Sequence, residues 1–213
     1  MSSDVLVTTP AQRQTEPHAE AVSRNRRQQA TFRKVLAAAM ATLREKSYAD
    51  LTVRLVAARA KVAPATAYTY FSSKNHLIAE VYLDLVRQVP CVTDVNVPMP
   101  IRVTSSLRHL ALVVADEPEI GAACTAALLD GGADPAVRAV RDRIGAEIHR
   151  RITSAIGPGA DPGTVFALEM AFFGALVQAG SGTFTYHEIA DRLGYVVGLI
   201  LAGANEPSTG GSE

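Results

Sequence analysis

The chain has 213 residues, of which 48% are hydrophobic and 20% charged, a composition typical of a soluble protein with a core. Its two cysteines, Cys91 and Cys124, fit neither a disulfide framework nor a metal-ligand pattern, so we expect a reducing cytoplasm and no metal or other cofactor. The opening residues lack the basic and apolar regions of a secretory signal. We find no run of about 18 apolar residues, which argues against a membrane span.

The net charge of zero conceals opposite charges on the two halves of the chain. Residues 1–90 hold 13 Lys and Arg against 7 Asp and Glu, whereas residues 91–213 hold 8 against 14. Between Arg24 and Lys74 there are 11 basic residues and 2 acidic ones. This asymmetry indicates a polyanionic partner for the N-terminal half, with a solvated basic face as the ordinary alternative.

The first residues predict an arm followed by a long helix. Residues 1–23 are polar, contain two prolines and show no periodicity, so we predict a disordered arm. The arm ends in a basic cluster that could contact phosphates: Arg24, Arg26 and Arg27. From Gln28, apolar residues recur at helical spacing until about residues 47–50.

Two short helices are predicted next, joined by three residues. Thr52 is a candidate N-cap for a helix over 53–60, and Pro64 suits the first turn of a helix that ends before Phe71. Ser73 can cap a fourth helix, which runs from Lys74 to about Val89. This order is typical of a helix-turn-helix unit. The hydroxyls and phenols of the third helix can donate to phosphates and pack on sugar or thymine methyl groups.

These residues resemble the N-terminal domain of the tetracycline-repressor (TetR) family of bacterial transcription regulators. The features that match in order and spacing, over about residues 28–90, are Thr52-x-Arg54, Val56-Ala57, Ala60-x-Val62, Thr66-x-Tyr68-x-Tyr70-Phe71 and Ser73-Lys74-x-x-Leu77. The resemblance implies an all-α fold: a three-helix helix-turn-helix DNA-binding domain over 24–90, then a helical ligand-binding and dimerisation domain over 91–205. We expect a disordered tail over 206–213.

The resemblance also implies roles for single residues. Arg54 is expected to reach a base edge or a phosphate, and Pro64 and Ala65 to lie at the base-facing start of the recognition helix. Backbone contacts are expected from Thr66, Tyr68, Tyr70 and Lys74, with Thr69 as a specificity position. Tyr68 or Tyr70 could instead be a half-buried core aromatic.

Three departures from the family pattern weaken the local structure. Lys61 stands where glycine is usual, so a left-handed backbone there would cost roughly 1 kcal/mol. Ala65 stands where glycine usually precedes the threonine. Ala63 and Leu55 replace a serine cap and the acid of a capping box, at about 0.5–2 kcal/mol for each short helix.

The second half reads as five helices after a proline-rich junction over 90–100. They are predicted at 101–115, 118–129, 135–156, 162–180 and 185–204, separated by glycine-containing breakers. The last two are apolar and rich in small residues, and the resemblance implies that they pack against a second copy. The predicted dimer contacts are Phe172, Gly174, Ala175, Gly194, Val197, Gly198 and Leu201. A C2 dimer would place two recognition helices about 34–36 Å apart; a monomer with a thick core is the alternative.

The resemblance places a small-molecule pocket among the middle helices. The apolar candidates are Leu107, Leu110, Ala111, Val114, Cys124, Leu128, Phe166, Met170 and Phe173, although for any one of them ordinary core packing is favoured over ligand contact. Arg108, His109 and Glu169 are polar candidates for orienting a ligand, and a mainly hydrophobic effector follows.

Three classes of function were weighed. The leading prediction is a homodimeric repressor that an effector releases from a palindromic operator. An enzyme is disfavoured, because His109, His149, His187 and Cys124 belong to no recognisable catalytic, zinc, P-loop or dinucleotide motif. A non-specific or architectural nucleic-acid binder is the alternative, and it predicts steep salt dependence without sequence preference.

Overall fold

A computed structural model describes residues 16–130 and 133–204, with side chains from residue 25 onward. The helices are α1 (Glu16–Leu43), α2 (Val53–Arg59), α3 (Pro64–Tyr70), α4 (Lys74–Gln88), α5 (Met99–Ala111), α6 (Pro118–Asp130), α7 (Pro135–Ile156), α8 (Pro162–Gly180) and α9 (Tyr186–Ala204). A 3-10 turn at Leu112–Val114 follows α5. No strand occurs in these two segments, so the predicted all-α class is confirmed.

The first helix differs from its prediction at both ends. It begins at Glu16 rather than Gln28, so residues 16–23 continue the helix and the prediction of a disordered arm is wrong for them. Pro17 lies in the first turn, where its missing N–H would have had no helical partner. The helix ends at Leu43, a few residues earlier than predicted. Residues 1–15, the tail 206–213 and the side chain of Arg24 lie outside the described part.

The short helices have the caps that the sequence predicted. The Leu55 amide donates to the Thr52 hydroxyl (3.1 Å), and the His76 amide donates to the Ser73 hydroxyl (3.0 Å). Ala63 provides no side-chain cap for α3, as expected from its methyl group. Lys61, in the turn before α3, has a φ of 52°, so the left-handed backbone predicted at this non-glycine position is present.

The N-terminal helices enclose a small core. The Phe32 ring of α1 stacks on Phe71, with 5.1 Å between ring centroids, and Phe71 is fully buried. Ala67 is the buried residue of α3, and its small side chain lets that helix lie close to the core. The opposite face of α3 therefore stays in solvent.

The helices after the junction pack as a bundle, with two shifts from the predicted boundaries. Helix α5 begins at Met99 and gives way at Leu112 to the 3-10 turn, whereas a single helix over 101–115 was predicted. Helix α9 begins at Tyr186, because Thr185 and Glu188 form a capping box ahead of it. Helix α5 packs against α7 and α9, and α8 packs against α9.

Helix α4 belongs to both parts of the chain. It packs against α1, and it also packs against α6 and α7. Among the described helices, α8 alone is long and apolar enough by composition to cross a membrane. Only 28% of that apolar window is buried within the chain.

Candidate functional site

The exposed face of α3 carries most of the residues predicted to contact DNA. Five of its seven residues are exposed: Pro64, Ala65, Thr66, Tyr68 and Thr69. The Tyr68 side chain is 48% exposed, which rules out the core position that was the alternative for it. Arg54 on α2 is also exposed. The Thr69 hydroxyl donates to the Thr66 carbonyl (2.6 Å), and this bond fixes the rotamer of Thr69 on that face.

Tyr70 and Lys74 have contacts within the chain. Tyr70 is half-buried, with its ring centroid 6.1 Å from that of Phe32, so the core alternative holds for this tyrosine. The Lys74 ammonium donates to the Tyr48 carbonyl (3.1 Å) and lies 4.5 Å from the centroid of the Tyr48 ring. Both residues therefore stabilise the N-terminal helices in this conformation, and their phosphate contacts stay predictions.

Basic side chains are also exposed on α1 and in the turn before α3. Arg26, Arg27, Arg33 and Lys34 are exposed on α1, and Lys61 is exposed next to α3. Two other arginines of the region form ion pairs: Arg59 with Glu45, and Arg44 with Glu117 at the start of α6. This part of the surface therefore has the positive potential that a phosphate backbone attracts.

A cavity of about 700 Å³ lies among α4, α6, α7 and α8. Volumes of this size are typical of small-molecule sites. Most of the accessible lining is apolar, and its larger side chains are Leu128, Leu129, Ile144, Phe173, Leu176 and Val177.

The polar groups of the lining differ in exposure. Tyr82 of α4 and Cys124 of α6 are buried at 5% and 2% exposure, and burial raises the pKa of the Cys124 thiol to about 12. The remaining polar lining consists of Thr125, Arg141, Asp142, His149, Glu169 and Tyr186. His149 and Glu169 form a pair (2.8 Å). Across residues 16–130 and 133–204, no three His, Cys, Asp or Glu side chains gather as a metal would need.

The predicted pocket residues divide into two groups. Cys124, Leu128, Glu169 and Phe173 line the cavity. Four others were placed wrongly: Leu107, Leu110, Ala111 and Val114 are buried in the core, because neighbouring helices cover the inner face of α5 and the 3-10 turn that follows it.

Three further candidates lie on the outside of the cavity. Arg108 forms an ion pair with Asp191 at the surface, Phe166 borders a smaller cleft, and Met170 lies in a groove between α8 and α9. His109 is also exposed, away from the lining. The prediction is wrong for these positions, since helical periodicity does not say which exposed face borders a cavity.

Sequence reasoning missed the contributions of α4 and α7. Tyr82 of α4 and several residues of α7, among them Arg141 and His149, line the cavity. One available signal was glycine inside a helix: Gly121 and Gly145 also line it, and glycine in a helix costs about 1 kcal/mol relative to alanine. A Cβ on Gly121 would lie 2.4 Å from the Tyr186 hydroxyl, so this glycine lets the tyrosine approach α6.

The predicted dimer contacts need a similar correction. Phe172, Val197 and Leu201 are buried in the core of the chain itself, at 5% exposure or less, so they have almost no surface to give a partner. Gly194 faces Thr104 of α5, where an added Cβ would lie 3.3 Å from the threonine methyl group. Gly174, Ala175 and Gly198 keep some exposure, and their predicted role is untested.

Large apolar side chains lie exposed on α8 and α9 instead. Four of them recur at helical spacing on α8: Phe166, Met170, Phe173 and Val177. The other two, Tyr195 and Leu199, lie one turn apart on α9. Phe173 and Val177 also border the cavity. The face formed by these six residues is called the α8–α9 face below.

Comparison with known proteins supports the assignment of the N-terminal helices. Residues 35–81 match the family described as bacterial regulatory proteins, tetR family. The match spans the end of α1, the two short helices and the first half of α4.

Solved structures share the fold over nearly their whole length. A TetR transcriptional regulator from Rhodococcus sp. RHA1 has a TM-score of 0.69 at 21% identity, over 84% of this chain and 98% of that one. FadR from Thermus thermophilus, a TetR-family repressor in complex with lauroyl-CoA, has a TM-score of 0.60 at 18% identity, over 85% of this chain and 99% of that one. FadR from Bacillus subtilis in complex with stearoyl-CoA has a TM-score of 0.54 at 14% identity, over 81% of this chain and 98% of that one. The resemblance is thereby confirmed: the chain carries the N-terminal domain of the tetR family of bacterial regulatory proteins, and its described helices have the fold of solved TetR-family regulators.

Proposed function

We propose that the protein is a homodimeric, cytoplasmic repressor that binds an inverted-repeat operator through α3 and releases it when a small, mainly hydrophobic effector enters the cavity. The observation that carries this proposal is the position of α4. Ser73 caps its first turn beside α3, and Tyr82, more than two turns later, lines the cavity. A single rigid helix therefore joins the DNA-reading surface to the ligand site.

The chemistry of α3 supports sequence-specific DNA binding. Its exposed hydroxyl and phenol groups can bond phosphates and base edges, while the arginines and lysines around it supply the non-specific attraction. In this proposal residues 24–90 form the DNA-binding domain, with the helix upstream of Arg24 as an addition to it. Residues 91–205 form the ligand-binding and dimerisation domain.

Polar contacts couple the two domains along α4. Glu80 of α4 accepts a bond from Arg143 of α7 (2.5 Å), and Arg151 of α7 donates to the carbonyl of Val89, at the C-terminal end of α4 (2.6 Å). A ligand that shifts α7 against α4 would tilt the reading helix. By linkage, an effector that prefers the tilted state weakens DNA binding by the same factor by which DNA weakens effector binding.

The α8–α9 face supports a dimer. Tyr195 is 72% exposed and Leu199 56% exposed, and Met170 lies beside them at 56%. Exposed apolar surface on two adjacent helices, beside small residues such as Gly174 and Gly198, is typical of an interface between protein chains. A C2 dimer through this face would present two copies of α3 to one side of a duplex.

The solved relatives support a small-molecule effector. Two structures with this fold contain an acyl-CoA, and the cavity here has a mostly apolar lining. We therefore propose a hydrophobic effector for this chain as well, without taking over the identity of those ligands.

Selection of bound DNA from a random pool at near-physiological salt tests the proposal. We expect the wild-type chain to enrich an inverted repeat and the Tyr68→Ala variant to lose that enrichment. Val95→Ala, at an 83% exposed side chain in the junction, serves as the control and should behave as wild type. DNA that is retained without enrichment and released by salt would instead support the non-specific binder.

A further inference from the structure

One of the residues that line the cavity carries a polar atom without a hydrogen-bond partner. The Tyr82 hydroxyl is buried, and among the residues that the structure describes it has no hydrogen-bond partner. A buried hydroxyl without a partner destabilises the folded state, so most native proteins avoid one. Tyr82 is one of the residues that line the cavity, so a ligand seated against its side chain is the candidate partner for this hydroxyl.

The groups around this hydroxyl are uncharged. Burial raises the pKa of the Tyr82 phenol and of the Cys124 thiol, and it raises the pKa of the Tyr186 phenol as well. These three groups are therefore neutral hydrogen-bonding partners at physiological pH. A charged ligand group brought next to these side chains would be desolvated without a counter-charge, which is unfavourable.

The charged lining groups lie on the solvent side and do not form an anion site. Arg141, Asp142 and His149 are all exposed. The lining contains one arginine, Arg141, and two carboxylates, those of Asp142 and Glu169. His149 is already paired with Glu169. A carboxylate or phosphate ligand would gain little attraction from this set, since the two acids offset the arginine.

Building on the proposed function, we propose that the effector is an uncharged, mainly apolar molecule whose hydroxyl or carbonyl group hydrogen-bonds to Tyr82. The apolar body of the ligand would fill the space bounded by Leu128, Ile144 and Phe173. Because Tyr82 belongs to α4, this hydrogen bond joins the ligand directly to the helix that carries Ser73 and Lys74. The phenol would thus be the specificity-determining group of the cavity.

Four probes with the same ten-carbon chain test the chemical class: 1-decanol, 2-decanone, decanoate and decanoyl-CoA. Their binding to the full chain is measured by displacement of the uncharged fluorophore N-phenyl-1-naphthylamine. Each titration is run on wild type, Tyr82→Phe and Thr93→Val. Thr93 is exposed in the junction and outside the cavity, so it provides the matched loss of one hydroxyl group.

We expect decanol and decanone to bind wild type and Thr93→Val more tightly than decanoate and decanoyl-CoA bind them. Tyr82→Phe should bind decanol and decanone about five- to tenfold more weakly, as expected for one lost hydrogen bond. Its melting temperature without ligand should equal or exceed that of wild type, because the variant removes an unpaired buried hydroxyl.

Tighter binding of decanoate or decanoyl-CoA would overturn the inference, as would equal binding of decanol to Tyr82→Phe and wild type, or no binding of the alcohol at all. Operator affinity of the same preparations is measured in parallel without ligand. If sequence-specific DNA binding is intact, a failure of the probes counts against the ligand class alone; if it is absent, the proposed function itself fails.

Discussion

The Ser73 hydroxyl, which caps α4, donates a hydrogen bond to the carboxylate of Asp134, which caps α7 (2.9 Å). The other carboxylate oxygen of Asp134 accepts from the Ala136 amide (2.9 Å). The hydrogen bond from Ser73 and that from Ala136 hold the pKa of Asp134 below its usual value. One carboxylate thus joins the starts of two helices, α4 from the N-terminal half and α7 from the bundle that follows the junction.

Removal of this carboxylate should cost more than loss of a helix cap. We expect Asp134→Ala to lower the free energy of unfolding by about 2 kcal/mol, since it loses both the cap and the bond from Ser73. Asp161→Ala is the matched control: Asp161 caps α8 through the Thr164 amide (2.7 Å), and its bonds are confined to that turn. It should cost about 1 kcal/mol. Equal losses in urea unfolding would contradict a role for Asp134 between the domains.

Lys61 has a backbone conformation that suits glycine better. Lys61 has a φ of 52°, a conformation that glycine adopts without strain. Lys61→Gly should therefore raise the free energy of unfolding by about 0.5–1 kcal/mol. Ala58→Gly, at an exposed position inside α2, should lower it by about 1 kcal/mol. Urea titrations of both variants check the opposite signs; a loss at Lys61 would show that its side chain stabilises the turn.

The two tyrosines of α3 should separate DNA binding from stability. Because the Tyr68 side chain is exposed, Tyr68→Ala should leave the free energy of unfolding within about 0.5 kcal/mol of wild type. Its affinity for the operator should fall about tenfold or more. Tyr70→Ala should cost about 2 kcal/mol in stability because it removes packing against Phe32. Chemical unfolding and fluorescence anisotropy with the selected operator measure the two effects. A stable Tyr70→Ala would mean that the Phe32 contact contributes little.

Local signals predicted much of the fold. Thr52 and Ser73 cap helices where expected, and Pro135 and Pro162 begin helices at the predicted residues, because capping and proline geometry depend on a few neighbouring residues. The start of α1 was missed, since the polar residues after Glu16 show no apolar periodicity even though they can form a helix.

The sequence did not predict which residues from different helices contact each other. Lys74 was expected to face phosphate, but its ammonium bonds to the Tyr48 carbonyl, a contact that depends on how the chain returns after α1. Phe172 and Met170 are both apolar residues of α8, yet one is buried and the other 56% exposed. The direction of a helix face follows from the packing of the whole bundle, so composition alone could not separate core from interface.

Charge on the α8–α9 face should prevent dimerisation. We expect wild type to have twice the chain mass of 22.6 kDa by size exclusion with light scattering, and Met170→Asp to have the mass of one chain, because a buried unpaired carboxylate is costly. Val95→Asp also replaces an apolar side chain with a carboxylate, but in the exposed junction, so this variant should remain a dimer. A monomeric wild type would refute the interface and favour a monomer with a thick core.

The buried carboxylate of Glu80 should make stability depend on pH in the acid range. Burial of Glu80 favours its neutral form, but bonds from His76 and Arg143 outweigh this, and the net result is a pKa below the usual value. A lowered pKa in the folded state stabilises the protein above the ordinary glutamate pKa of about 4.3. That contribution is lost as the pH falls through the lowered value.

Glu80→Gln isolates this contribution. Near pH 7 the variant should be less stable than wild type by about 1–3 kcal/mol, the range for a hydrogen bond to a charged group. The difference should begin to shrink below about pH 4.3, where Glu80 of the unfolded chain takes up a proton first. It should be lost once the pH falls through the lowered pKa of the folded protein, because Glu80 is then neutral and no longer attracts Arg143. Glu119→Gln, at an exposed glutamate of α6, should show a difference of less than about 0.5 kcal/mol at either pH. Urea unfolding at pH 7 and at pH 3.5 measures both variants. A Glu80→Gln difference that is unchanged between the two pH values would mean that the carboxylate acts through packing and not through its charge.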